Sequence, residues 1–75
     1  MSDLRVYLLL GRFGKGEPES IFESIVDDEE AAKRAFERAA RAASLSPEGS
    51  RDFVFVPTRL VLHVIHNAET VMSNE

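Results

Sequence analysis

No cysteine occurs in this 75-residue chain, tryptophan is also missing, and there are only one tyrosine and two histidines. The missing thiols exclude disulfides and thiolate-bound metal together, and two histidines alone make a poor zinc site. A chain of this length forms one domain. Domains of about 60 residues bury only roughly 60% of the surface that their unfolded chains expose, so the core must be thin. With disulfides and thiolate metal excluded, self-association is the remaining way to supplement it. Long hydrophobic runs are missing too: Val6–Leu10 and Leu60–Ile65 fall far short of the ~20 residues that span a bilayer. No basic segment leads into an apolar stretch at the start, where Asp3 stands in place of positive charge, so a cytoplasmic location without membrane contact is expected. Positive charge is itself in short supply. Nine Lys and Arg against thirteen Asp and Glu give a net charge of −4, which argues against direct nucleic-acid binding through clustered cations. That charge is also too small to imitate the charge density of DNA. What is present, 44% apolar and 29% charged residues, is the composition of a folded globular domain and not of a disordered tail.

Leu4 to Leu10 reads as a strand suited to burial on both faces. Gly11, Gly14, Gly16 and Pro18 then end it and turn the chain. From Glu19 to Val26 an extended pattern resumes, with Ile21 and Ile25 on one face and Phe22 and Val26 on the other. Residues 4–26 are therefore a hairpin with a glycine-rich tip. A helix follows over 28–44. Asp27 or Asp28 supplies its N-cap, and Asp28, Glu29 and Glu30 place negative charge where the backbone amides lack partners. Glu29–Lys33, Glu30–Arg34 and Glu37–Arg41 are spaced as i,i+4 pairs worth about 0.2–0.5 kcal/mol each. Ala32, Phe36, Ala39 and Ala43 form the opposite stripe, small enough for the helix to lie close on a sheet. Ser46-Pro47-Glu48-Gly49 fits a type I turn. Two strands are expected within 52–66, Phe53–Val56 and Leu60–Ile65, separated by a turn at Pro57-Thr58. Residues 67–75 have weak pattern and are expected to fray. The fold class is α+β, a single ββαββ domain with one helix on a four-stranded, mainly antiparallel sheet.

Such a sheet has two apolar faces and one helix. Leu60, Leu62 and Val64 alternate against Val61 and Ile65, and Val6, Leu8 and Leu10 alternate against Tyr7 and Leu9. A helix of this length covers one face, leaving an apolar patch larger than a soluble monomer normally exposes. A homodimer packed sheet on sheet is the simplest cover. The expected self-association face is Val61, His63 and Ile65 with Tyr7 and Leu9.

Few residues invite a chemical reading. Gly11-Arg12-Phe13-Gly14-Lys15-Gly16 follows a strand, but Lys15 is followed by Gly16 and an extended segment, not by Ser or Thr opening a helix, so it is not a phosphate loop. As a hairpin tip it presents Arg12, Phe13 and Lys15, two cations and an aromatic, the residue types of interface hot spots. His63 and His66, three apart on a strand, point to opposite faces and share no metal. Asp27, Asp28, Glu29 and Glu30 form an acidic patch at a helix start, without the twelve-residue spacing of a calcium loop. No nucleophile elbow or catalytic triad is suggested, and no cofactor is expected.

The segment Ile25-Val26-Asp27-Asp28-Glu29-Glu30-Ala31-Ala32-Lys33-Arg34-Ala35, a strand passing through acids into an Ala-Ala-Lys helix, resembles segments of small phage-encoded anti-defence proteins. These are notably some anti-CRISPR proteins of type I systems, several of them single α+β domains of this size. It is also similar to the strand–helix junction of HicB-like antitoxins. The resemblance covers eleven residues, and no functional residue carries over with it. It implies a non-enzymatic inhibitor that sterically blocks a host defence complex in the host cytoplasm, as a monomer or dimer. The expected function is thus a protein-binding module acting through the apolar sheet face or the Arg12–Lys15 loop. The alternative is a homodimeric structural or antitoxin-like module that spends the face on itself.

Overall fold

Strand β1, Arg5–Arg12, alternates between half-buried and buried side chains from Val6 onward, because both of its neighbours in the sheet are strands. The computed structural model describes residues 4–14, 16–45, 54–64 and 66–74. β2 (Ser20–Val26), α1 (Glu29–Leu45), β3 (Val56–Val64) and β4 (Asn67–Ser73) follow in order. The sheet order is β2-β1-β3-β4, and every neighbouring pair is antiparallel. Two local hairpins, β1–β2 and β3–β4, therefore meet at the central β1–β3 ladder. The ββαββ order and the single helix on a four-stranded sheet agree with the sequence reading.

The helix crosses from β2 to β3 and lies over β1 and β3. Its start is set by Asp28, whose side chain accepts from the Ala31 amide at 3.0 Å and satisfies a donor that the first turn leaves unpaired. Asp27 is not the cap. It takes a positive φ of 54° and ties the junction to β1: its amide donates to the Arg5 carbonyl and its carboxylate accepts from the Arg5 amide. Short acidic side chains tolerate this left-handed conformation better than most. Glu29–Lys33 and Glu30–Arg34 close at 3.9 and 3.7 Å. Ala32, Phe36 and Ala43 are buried on the sheet side, with Ala35 and Ala39 packed against the core. That core is Tyr7, Leu9, Ala32, Phe36, Phe55 and Leu60. Burying an aliphatic or aromatic side chain of this size contributes about 1.5–3 kcal/mol, so the large members of this cluster supply much of the stability.

Three expectations need correction. Pro57 does not separate a pair of strands. It lies inside β3, opposite Gly11, where the β1–β3 register shifts, and its carbonyl accepts from the Asn74 side chain. The β3–β4 ladder begins only at Arg59, so the missing proline amide leaves no partner unpaired at this end. Residues 67–73 do not fray but form β4. Between Thr70 and Met72 the register shifts, so Val71 is an extra residue in the strand, and both Val71 and Met72 pack against the core. Two adjacent apolar residues on one side break the alternation by which a strand is read. A bulge also lies in β2, where Leu9 and Leu10 pair Glu23 and Ile21 and leave Phe22 as the extra residue. It reverses the expected grouping: Ile21 shares a face with Val26, and Phe22 stacks on the core residue Phe55. The type I turn at 46–49 and the strand start at 52–53 lie outside the described residues. Among those residues no helix is long and apolar enough to cross a membrane.

Candidate interaction surface

Register and pleat sort the sheet residues into two faces. Beneath the helix, opposed residues run Ile25–Tyr7–Leu62–Glu69 and Glu23–Leu9–Leu60–Met72. On the far side three rows run Val26–Val6–His63–Ala68, Ser24–Leu8–Val61–Thr70 and Ile21–Leu10–Arg59–Ser73. No described element packs on these rows. Val6, Leu8 and Leu10 are half-buried, Val61 is 7% exposed, and Ile21 and Val26 are 60% and 53% exposed. Twelve positions thus form an open face whose centre and β2 side are aliphatic and whose β4 side is small.

The expected self-association face divides accordingly. Val61 and His63 lie on the open face. Tyr7 and Leu9 lie on the opposite side, 2% and 1% exposed beneath the helix, so no second molecule reaches them. Parity within each strand is legible in the sequence, but which parity of β1 joins which parity of β3 depends on the register of their ladder. Ile65 lies outside the described residues. His63 is exposed, and His66 sits in the turn between β3 and β4 and not on the strand.

One end of the open face carries a polar clamp that the sequence did not reveal. Glu19, just before β2, reaches past Leu10 to β3. Arg59 donates to both of its carboxylate oxygens, through Nη2 at 2.9 Å and Nε at 3.2 Å. The Thr58 hydroxyl bonds the same carboxylate and lies 3.3 Å from the Leu10 carbonyl. The Arg59 hydrogen bond first, and the Thr58 hydroxyl second, hold the Glu19 carboxyl below its ordinary pKa against partial desolvation. Its acid is therefore neutralised within the molecule, next to a face otherwise without carboxylates.

At the hairpin tip the rings of Phe13, Phe22 and Phe55 gather. Phe22 and Phe55 stack at 4.3 Å between centroids, and Phe13 tilts against both at 5.8 and 5.1 Å. Phe55 is buried, whereas Phe13 and Phe22 are each 50% exposed. Gly11 makes the cluster possible. A methyl at its Cα would overlap the Phe55 ring and the Val56 carbonyl oxygen, so only glycine admits the ring here. A glycine ending an apolar strand is the one sequence signal of this contact. Of the expected loop residues, Phe13 joins this corner, Arg12 ends β1 half-buried, and Lys15 lies outside the described residues.

The acidic patch is engaged within the molecule: Asp27 with the Arg5 backbone, Asp28 as cap, Glu29 and Glu30 with Lys33 and Arg34. A shallow open groove of about 220 Å3 runs along Ala40, Ala43, Ser44, Val56 and Asn74. It is smaller than the roughly 300–1,000 Å3 of ordinary small-molecule sites. No protein-family model, curated protein or solved structure matches this chain, so the functional reading rests on its geometry.

Proposed function

We propose that this chain is a non-enzymatic, cytoplasmic protein-binding module whose principal contact surface is the open sheet face. The observation that carries this reading is an aliphatic face on which no described element packs, in a domain whose helix lies on the other side. Contiguous apolar surface of this kind characterises interaction sites on soluble proteins. The exposed rings of Phe13 and Phe22, beside the Arg12 terminus of β1, offer a second contact of the hot-spot type. Steric inhibition of a larger assembly, such as the defence complex that the resemblance implies, needs only surfaces of this sort. The chain's polar clusters also favour binding over chemistry, since Glu19, Thr58, Asp27 and Asp28 each serve an intramolecular bond.

Site-specific photocrosslinking in the cells that make the protein tests the reading. A crosslinking residue at Val26 on the open face is expected to give protein adducts, and one at Arg38 on the outer helix surface is not. Adducts from Arg38 alone, or from neither position, overturn it.

A further inference from the structure

We infer that the occupant of the open face is a second copy of this chain, packed sheet on sheet about a two-fold axis parallel to the strands; this rests on the protein-binding reading above. The first argument is size. Four strands about 4.8 Å apart and three rows about 6.8 Å apart project roughly 400 Å2, more as accessible surface. Two copies therefore bring together on the order of 1,000 Å2, where specific interfaces begin. The second argument is shape. The β2 side of the face is large, with Ile21 and Val26, and the β4 side is small, with Ala68 and Ser73. An axis parallel to the strands sets β2 of each copy over β4 of the other. Val26 then meets Ala68, Ile21 meets Ser73, and the two central residues Leu8 and Val61 meet each other. Large side chains fill the space that small ones leave, as interface cores require.

About the same axis the Arg59 of each copy lies over Leu10 of the other, its guanidinium already held by Glu19. The alternative in-plane axis, across the strands, reverses the rows and sets Val26 against the other copy's Ile21 and Ala68 against its Ser73, large on large and small on small. Both sheet edges are bulged, at Phe22 and Val71, which disfavours pairing through the edges and leaves the face as the route to association. The Phe13–Phe22 corner lies toward the helix side and stays outward, twice per dimer.

Light scattering and sedimentation equilibrium over a range of concentrations test the inference. The wild-type chain should have twice its 8.4 kDa mass. Ile21→Asp and Val26→Asp replace side chains already exposed in the monomer. Each should weaken the dimer about 100-fold or more by burying an unpaired carboxylate, with the circular dichroism of the fold retained. Arg38→Asp, on the outer helix surface, should leave the dimer intact. The axis is testable by charge-pair rescue. About the proposed axis Val26 faces the other copy's Ala68, whereas the other axis sets it against Ile21. Adding Ala68→Lys to Val26→Asp should therefore restore much of the dimer, and adding Ile21→Lys in its place should not. A dimer that survives both aspartate variants overturns the interface, and rescue of Val26→Asp by Ile21→Lys and not by Ala68→Lys overturns the axis. A monomer at every concentration with Val26 adducts to other proteins overturns the second copy alone. No adducts from the face removes the protein-binding reading as well.

Discussion

Leu8 and Leu9 are neighbours in sequence and opposites in circumstance. Leu9 is 1% exposed, enclosed by Tyr7, Leu60 and Phe36 beneath the helix. Leu8 sits between Ser24 and Val61 in the middle row of the open face and is half-buried. The same contrast holds for β3, where Leu60 is fully buried beneath the helix and Arg59 beside it is exposed. The covered face is mutually interlocked, so each side chain there contributes to folding. The open face is as apolar at its centre but no described element packs on it, so its side chains contribute fully only when something else does. Composition along a strand reports how apolar a face is, and a second layer decides whether that surface serves folding or association.

The largest effect that sharpens this contrast is a matched pair of truncations followed by denaturant unfolding. Leu9→Ala should destabilise the fold by about 2–5 kcal/mol through the lost methylenes and the cavity left. Leu8→Ala should cost less in dilute solution, and its deficit should grow with protein concentration as association comes into play. Equal, concentration-independent losses at the two positions would break the comparison.

Gly11→Ala comes next, since it attacks the covered side at its most crowded point. The added methyl must displace the Phe55 ring or the Val56 carbonyl, and overpacking of this kind typically costs about 1–3 kcal/mol. Thermal unfolding measures it, and the fluorescence of a Phe55→Trp variant would report whether the aromatic corner opens. Asp28→Ala, which removes the helix cap and so loosens the covering layer, should cost about 1 kcal/mol by the same unfolding measurement.

The smallest effect concerns the clamp on the open side. Glu19 has a folded pKa below its unfolded one, so its stabilisation is complete above the unfolded value and is lost as pH falls through the folded value. Arg59 is about half exposed (48%), so solvent screening limits the contribution to about 1 kcal/mol or less. Glu19→Gln should flatten the acid limb of the stability–pH curve, measured by urea unfolding at several pH values, and leave neutral stability little changed. An undiminished acid limb in that variant would remove the clamp from the account.

The helix was legible because its capping acid, alanine stripe and charge order all point the same way over residues 28–44. The β1–β2 hairpin was legible from an apolar run ending in glycines. The fourth strand was not. In β4 the bulge puts Val71 and Met72 on the same side, and an exposed edge supplies only the small Ala68 on the other, so period-two alternation never develops. Pro57 misled for a related reason: its penalty applies to a paired amide, and it stands where the β4 ladder has not yet begun. At the interaction surface, Val61 and His63 could be placed together from β3 alone. Joining them to Val6, Leu8 and Leu10, and not to Tyr7 and Leu9, required the long-range ladder between strands about fifty residues apart, which no local pattern encodes.

The bulges at Phe22 and Val71 also bear on how far assembly proceeds. A sheet with straight, unobstructed edges grows by adding strands, and nothing in that geometry limits the number of subunits. Here both edges are interrupted, and association through the remaining face about a two-fold axis consumes that face in both molecules at once. The proposed dimer would have no further surface of the same kind to offer, so polymerisation would terminate at two.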